Sequence, residues 1–174
     1  MADHIDAYAQ ALVDIAQGEG DLGRVQDELF VVAERMRTND LLRDSLTDQR
    51  YPIELRQQIV EDLLGGKASP TTTSLVSMIV GAGRARDLPA IIEKVVDKAA
   101  SAQGAAVARV TSAYPLDGDQ QQRLAEALAK RFHHPVSVKV VIDPTIIGGL
   151  IVQVGDTVID GSVRARLDQL KSNF

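Results

Sequence analysis

The chain has 174 residues, 45% of them hydrophobic, which is enough apolar material for one ordinary domain or two small ones and argues against disorder. Its 19 basic and 24 acidic side chains give a net charge of −5, so a nucleic-acid surface built from massed Lys and Arg is not expected. The absence of cysteine excludes disulfides, thiolate metal ligands and cysteine nucleophiles.

The first two-thirds of the chain is predicted to be helical. Residues 5–16 repeat apolar side chains every three or four positions, and Gly18 and Gly20 then stop that helix. A second helix of the same period covers 22–36. Asn39 offers a helix-capping side chain for a short third helix, and Pro52 suits the first turn of a fourth.

Two further helices complete the predicted set of six. Ser69 and Pro70 repeat the pattern of a capping residue followed by a first-turn proline. The stretch 75–80 that follows is apolar on nearly all sides, so we expect this helix to be buried or to face a partner. Pro89 opens the sixth helix, which ends before Gly104.

Beyond Gly104 the hydrophobic period changes. Residues 106–112 suit a strand, Asp117 and Gln120 form a capping-box pattern, and the helix they begin ends before Pro135. Alternation over 136–142 predicts a second strand, and two apolar runs separated by Gly155-Asp156 predict a hairpin. A final helix is predicted from three apolar residues: Val163, Leu167 and Leu170.

The predicted fold is mostly α with a small α/β part. A six-helix bundle occupies residues 1–103, and a small α/β C-terminal domain occupies 104–174. The first segment carries 11 basic and 17 acidic residues, a net charge of −6, whereas the second carries 8 basic and 7 acidic residues, a net charge of +1. This asymmetry favours two functional surfaces.

Residue patterns that would signal catalysis or a cofactor are not found. Gly65-Gly66-Lys67 lacks the upstream glycine and the hydroxyl of a phosphate-binding loop. His4, His133 and His134 are not spaced as metal ligands on one helical face. We therefore predict no catalytic, cofactor-binding or metal-binding residues, no cofactor and no small-molecule substrate.

Membrane insertion is not expected either. The first residues have neither the basic and apolar segments of a secretory signal nor the Arg and Ser richness of a transit peptide. No apolar run approaches the roughly 20 residues that cross a bilayer. Any membrane association is expected to occur through partners.

The segment 142–167 carries a distinctive order of residues. A glycine pair precedes an apolar strand, then Gly-Asp, a second apolar strand and Asp-Gly-Ser-Val-Arg before a helix. This order, together with Tyr-Ala-Gln-Ala-Leu at 8–12, resembles the ATP synthase delta family, whose mitochondrial relative is the oligomycin-sensitivity-conferring protein. The signature residues are Gly148, Gly149, Gly155, Asp156, Asp160, Gly161, Ser162, Val163, Arg164, Arg166 and Leu167.

Several signature residues have an expected physical role. Gly155 can adopt the positive φ of a two-residue hairpin, and Asp156 tolerates it. Asp160 or Ser162 can accept hydrogen bonds from unpaired helix N–H groups. Arg164 and Arg166 could pair with acidic residues of a partner. Direct contact with a stalk and a purely structural role for the whole signature both remain open.

The resemblance implies a fold and two partners. Members of the family have a six-helix N-terminal domain that receives the amphipathic N-terminal helix of an ATP synthase alpha subunit, and a C-terminal domain that engages the C-termini of the b subunits. In this chain the receiving groove is expected between the first and fifth helices, although its residues could equally fill the core, above all Leu12 and Ile79. The groove residues are Tyr8, Ala11, Leu12, Ile15, Leu75, Met78 and Ile79.

The implied function is that of a non-catalytic stator connector, which ties the catalytic head to the peripheral stalk on the cytoplasmic face of the bacterial plasma membrane. No nucleic acid, cofactor or small molecule is implied. Two alternatives stay open from the residues: a helical adaptor with another partner, and a small transferase built on the C-terminal unit.

Overall fold

The computed structural model describes residues 2–163, and their side chains from His4 onward. The chain divides into two compact units, residues 1–99 and 100–174. The division falls inside the sixth helix, a few residues before the loop at which the sequence changes its hydrophobic period.

Unit 1 contains the six predicted helices. The apolar stretch at 75–80 lies in the fifth, and the shortest helix is the third. The bounds are α1 Ala2–Gly18, α2 Leu22–Thr38, α3 Asp40–Thr47, α4 Ile53–Leu64, α5 Pro70–Gly81 and α6 Leu88–Ala102, the last of which continues into unit 2.

The helix starts follow the predicted capping chemistry. The Asn39 side-chain oxygen accepts a hydrogen bond of 3.0 Å from the backbone N–H of Leu42 at the start of α3. Ser69 Oγ accepts one of 3.2 Å from the N–H of Thr72, and Pro70 occupies the first turn of α5. Pro52 stands just before α4, in the capping position, where its missing N–H costs no helical hydrogen bond.

Helix α5 contributes four apolar residues to the core of unit 1, in agreement with its apolar sequence. Leu75, Val76, Ile79 and Val80 are buried, whereas Met78 on the same helix is exposed. Helix α5 therefore combines a wide buried surface with one apolar side chain that reaches solvent.

Glu28 links helix α2 to the start of α5 by hydrogen bonds. Its Oε2 accepts hydrogen bonds from the N–H and Oγ of Ser69 and from Thr72 Oγ1, at 2.9, 2.8 and 2.6 Å, while its Oε1 accepts one from Arg24 at 2.8 Å. Burial alone would raise the pKa of Glu28, but these hydrogen bonds outweigh it and lower the pKa to about 2. The carboxylate thus stays ionised and holds α2 to α5.

In the described part of unit 2, a four-stranded mixed sheet packs against helix α7. The strand order is β2-β1-β3-β4, with β1 and β2 parallel and the other pairs antiparallel. Helix α7 connects the two parallel strands, as a parallel pair requires. The bounds are β1 Ala106–Ser112, α7 Gly118–Phe132, β2 Val136–Ile142, β3 Leu150–Val154 and β4 Thr157–Asp160.

The small core of unit 2 lies between α7 and the sheet. Ala108 and Val110 of β1, Val152 and Val154 of β3 and Leu128 of α7 are buried together. The alternation of side chains along each strand brings these residues to the same face.

Helix α7 begins and ends as its sequence indicates. Asp117 and Gln120 form the predicted capping box, with the Gln120 N–H donating to Asp117 at 2.7 Å. The helix ends at His133, whose φ of 60° is left-handed and turns the chain toward Pro135.

The predicted final helix, with Leu167 and Leu170, lies outside the described residues. Among the described helices none has the length and apolarity to span a membrane.

Candidate partner-binding surfaces

The predicted groove residues of unit 1 separate into two sets by burial. Leu12 of α1 and Leu75 and Ile79 of α5 are buried core residues. They cannot contact a partner side chain unless the bundle opens. They belong to the packed core of the bundle and support the exposed faces of α1 and α5.

The other four predicted groove residues reach solvent. Tyr8 is half-buried, Ala11 is exposed, and Ile15 is 42% exposed; the three follow one another at spacings of three and four residues on α1. Met78 of α5 is 44% exposed. Residues at this spacing share one face of a helix, so α1 presents a narrow stripe of apolar side chains.

Arg84 contacts the ring of Tyr8. Its guanidinium carbon lies 5.7 Å from the centroid of the Tyr8 ring, within the range of a cation–π contact. Arg84 also donates to Asp87 Oδ2 at 3.2 Å, which orients the guanidinium. Since Arg84 follows the end of α5, this contact ties the α1 stripe to the α5–α6 connection. The sequence could not indicate this pairing, because a cation–π contact between distant residues leaves no periodic signal.

Two segments of the C-terminal signature, 148–150 and 161–163, meet in unit 2. The N–H of Gly161 donates to Leu150 O at 2.9 Å, and the N–H of Val163 donates to Gly148 O at 3.0 Å. Gly149 has a φ of 86°, and a Cβ there would collide with Gly161. The glycines of the signature therefore permit close contact between two backbone segments.

One central residue of the hairpin between β3 and β4 has a positive φ. Gly155 has a φ of 55°, as expected, but Asp156 does not have a positive φ. A positive φ at only the first of the two central residues is the pattern of a type II′ turn, in which glycine is needed once. The positive φ expected of Gly155 is confirmed, and the turn does not use the tolerance of Asp156 for a left-handed conformation.

Asp160 caps the turn after β4. Its Oδ1 accepts from the N–H of Ser162 at 2.9 Å, and hydrogen bonds from Ser162, side chain and backbone, hold the pKa of Asp160 below its usual value. Ser162 is itself buried. Arg164, Arg166 and Leu167 lie outside the described residues.

Exposed apolar side chains gather at the end of the sheet that the signature organises. Ile142 ends β2 opposite Ser112 of β1, and the N–H of Tyr114 donates to Ser112 Oγ at 3.3 Å. Ile147 precedes Gly148, whose carbonyl oxygen accepts a hydrogen bond from the N–H of Val163. Tyr114 and Ile147 are 77% and 76% exposed, and Ile142 and Val163 are also exposed. We call Tyr114, Ile142, Ile147 and Val163 the sheet-end surface; no periodic pattern in the sequence indicates it, because its residues come from separate segments.

Several carboxylates of the described residues have local hydrogen-bond partners. Across the described residues, no three His, Asp or Glu side chains come together as metal ligands. The lowered pKa values of Asp48, Asp143 and Asp160 each have a local cause, namely hydrogen bonds from the residue two positions later. These carboxylates are turn and cap residues.

Comparison with known proteins agrees with these features. The sequence profile described as ATP synthase delta (OSCP) subunit matches residues 5–174. ATP synthase subunit delta of Streptomyces avermitilis is 40% identical over 174 residues, covering 97% of this chain and 63% of the relative. The same protein of Nocardia farcinica is 37% identical over 162 residues, covering 93% of this chain and 60% of the relative. The chain thus spans less than two-thirds of the length of these relatives.

A solved structure extends the likeness to the fold. A chain in the structure of the Toxoplasma gondii mitochondrial ATP synthase hexamer superimposes with a TM-score of 0.60 and 20% identity, covering 97% of this chain and 96% of that one. At this identity the likeness concerns the fold alone. The profile match over nearly the full chain and the identity to the bacterial relatives establish that the chain belongs to the ATP synthase delta (OSCP) subunit family.

Proposed function

We propose that the chain is a non-catalytic stator connector of an F-type ATP synthase, which links the alpha/beta catalytic head to the peripheral stalk formed by the b subunits. The observation that carries this proposal is the division into two compact units, each of which exposes an apolar surface of its own. A connector needs two separate docking surfaces and no reaction centre.

Unit 1 supplies the proposed contact with the head. The stripe of Tyr8, Ala11 and Ile15 on α1 and the exposed Met78 on α5 are the proposed apolar anchors for the amphipathic N-terminal helix of an alpha subunit. Ala11 is small enough to let a partner backbone approach closely. Met78 is unbranched and flexible, so its side chain can adapt to the partner. The Arg84 contact limits the rotamers of Tyr8 before binding.

Unit 2 supplies the proposed contact with the stalk. The sheet-end surface places four exposed apolar side chains at one end of a rigid sheet, and the signature glycines fix the two segments that carry Ile147 and Val163. In this proposal the signature acts both as a folding device and as the support of a docking surface. The C-termini of the b subunits are the proposed partner.

The proposed mechanism is resistance to torque during proton-driven ATP synthesis. The head must not rotate with the rotor, so the connector must hold the head and the stalk at the same time. The two contacts are joined by one chain. If one contact dissociates, the other keeps the partners close together, so the first can rebind quickly. Simultaneous dissociation of both contacts is therefore rarer than dissociation of either one. In this role the chain is peripheral on the cytoplasmic face of the bacterial plasma membrane, through the complex.

Simultaneous binding tests the proposal directly. The full chain is titrated by calorimetry with a peptide from the N-terminus of the alpha protein and then, once saturated, with a peptide from the C-terminus of the b protein, and the order is reversed as a control. We expect each peptide to bind with the same affinity whether or not the other is present. Failure of either peptide to bind, or displacement of one by the other, would contradict a connector with two independent surfaces.

A further inference from the structure

A second apolar groove lies on unit 1, between α2, α3 and α4, with its base on α5. It has a volume of about 520 Å³. None of the residues of the proposed head-docking surface lines it. Its base consists of the buried residues Met36, Leu46, Val60 and Val76.

The rim of this groove is apolar and open to solvent. Val31 of α2 is 55% exposed and Leu63 of α4 is 42% exposed, while Leu42 and Leu64 are half-buried beside them. A single exposed apolar residue is ordinary, but a contiguous apolar patch over a concave base indicates a binding surface.

The charged side chains of the groove give it a positive character. Glu28 lines one end, but its carboxylate is occupied by Arg24, Ser69 and Thr72. Arg35 and Lys67 also line the groove, and neither forms an ion pair with any described residue. Two unpaired cations beside a neutralised carboxylate make the groove locally basic, although the segment 1–103 as a whole carries a net charge of −6.

The chemistry of the lining decides between kinds of occupant. A small-molecule site usually has several polar groups that converge on the ligand. Here the side-chain oxygen of Asn39 caps α3 and the Glu28 carboxylate already has hydrogen-bond partners, which leaves the exposed cations Arg35 and Lys67. An apolar base with cations beside it matches an amphipathic helix whose apolar stripe is flanked by carboxylates.

We infer that the groove between α2, α3 and α4 is a second docking site, and that it binds an acidic amphipathic helix of a partner protein. The apolar stripe of the partner packs on Val31, Leu42 and Leu63, and its carboxylates pair with Arg35 and Lys67. This inference does not rest on the proposed connector function, since neither the α1 stripe nor the sheet-end surface takes part.

A designed peptide pair tests the inference. The first peptide has about 15 residues, with Leu at helical three- and four-residue spacing and Glu on both flanks of that stripe; the second has Lys in place of each Glu. Binding to the full-length chain is measured by fluorescence anisotropy at low ionic strength, where charge effects are largest. We expect the acidic peptide to bind at least about tenfold more tightly than the basic one.

Protein variants locate the site. The double variant Arg35→Glu/Lys67→Glu is expected to weaken binding of the acidic peptide at least about tenfold and to reverse the preference between the peptides. A matched double variant outside the groove, Arg86→Glu/Lys94→Glu, makes the same change in net charge and is expected to alter binding less than about twofold. Val31→Asp is expected to abolish binding while circular dichroism stays unchanged, because Val31 is exposed in the free protein.

Each other outcome overturns the inference. No binding of the acidic peptide at about millimolar concentration, equal binding of both peptides, or equal loss in the two double variants would each contradict it. Sedimentation of the full chain as a dimer that Val31→Asp dissociates would show that a second copy occupies the groove. These measurements use neither alpha nor b peptides, so their failure is distinct from failure of the proposed function.

Discussion

Gly149 and Gly161 lie in direct contact where two segments of the C-terminal signature meet. A Cβ on Gly149 would collide with the carbonyl oxygen of Gly161 and come within 2.8 Å of Ser162 Cα. The φ of 86° at Gly149 disfavours any other residue as well. Two separate physical reasons therefore require glycine at one position of the signature.

The first prediction separates these two reasons. Gly149→Ala should destabilise unit 2 by roughly 2 to 4 kcal/mol, because it adds a backbone collision to the strain of a positive φ. Gly155→Ala, in the same unit, meets no atom within 4 Å and should cost only about 1 kcal/mol from φ. Urea denaturation of the two variants measures the difference. Equal losses would show that the contact with Gly161 contributes nothing.

The second prediction concerns the pH dependence of stability. The pKa of Glu28 falls from 4.5 to about 2 on folding, so its ionised form favours the folded state above pH 4.5, and this contribution is lost as the pH falls toward 2. Glu28→Gln should therefore cost roughly 1 to 3 kcal/mol near neutral pH, and the difference from the wild type should shrink between about pH 4.5 and 2.

Denaturant unfolding at a series of pH values checks this prediction. Glu61→Gln, on the exposed part of α4, serves as the surface control and should track the wild type across the series. A constant difference between Glu28→Gln and the wild type at all pH values would mean that the hydrogen bonds from Ser69 and Thr72 do not depend on the charge.

The third prediction distinguishes the surface of the proposed head-docking groove from its core. Tyr8→Asp and Met78→Asp should each weaken binding of an alpha N-terminal peptide about tenfold or more while the bundle stays folded, because both side chains reach solvent. Leu12→Asp and Ile79→Asp should instead unfold unit 1, since an unpaired charge in the core costs about 4 kcal/mol or more.

Calorimetry gives the affinities and circular dichroism gives the fold. If both surface variants bound the peptide like the wild type, the head would dock elsewhere. If Leu12→Asp remained folded and only lost binding, Leu12 would line the groove itself.

The fourth prediction tests the sheet-end surface. Tyr114→Asp and Ile147→Asp should each weaken binding of a peptide from the C-terminus of the b protein about tenfold, because both side chains are largely exposed and apolar. Val158→Asp is the matched control: Val158 is also apolar and exposed, but it follows the Gly155-Asp156 turn at the other end of β4. Equal loss in all three variants would point to a general charge effect.

The features that the sequence predicted are those that depend on neighbouring residues. Asn39, Ser69 and the pair Asp117 and Gln120 cap helices within three positions of themselves, so their pattern carries the signal. The change from helical to strand periodicity at Gly104 likewise predicted the four strands and α7.

The remaining features depend on contacts between distant residues. Periodicity placed Leu12 and Tyr8 on one face of α1, but only the packing of the bundle decides that Leu12 is buried and Tyr8 is half-buried. No sequence pattern predicted the hydrogen bond between Glu28 and Ser69, because the two residues are 41 positions apart. The groove between α2, α3 and α4 arises from side chains of four helices, and no single helix reveals it.

The directions of the strands in unit 2 have a mechanical consequence. Strands β1 and β4 both run antiparallel to β3, so the chain enters the sheet at one end, at Ala106, and leaves it at the opposite end, after Asp160. Tension applied between these two points would act along the strands, at right angles to the ladder hydrogen bonds. The bonds of a ladder would then be sheared together rather than unzipped one after another, which is the stronger geometry for a part that carries load.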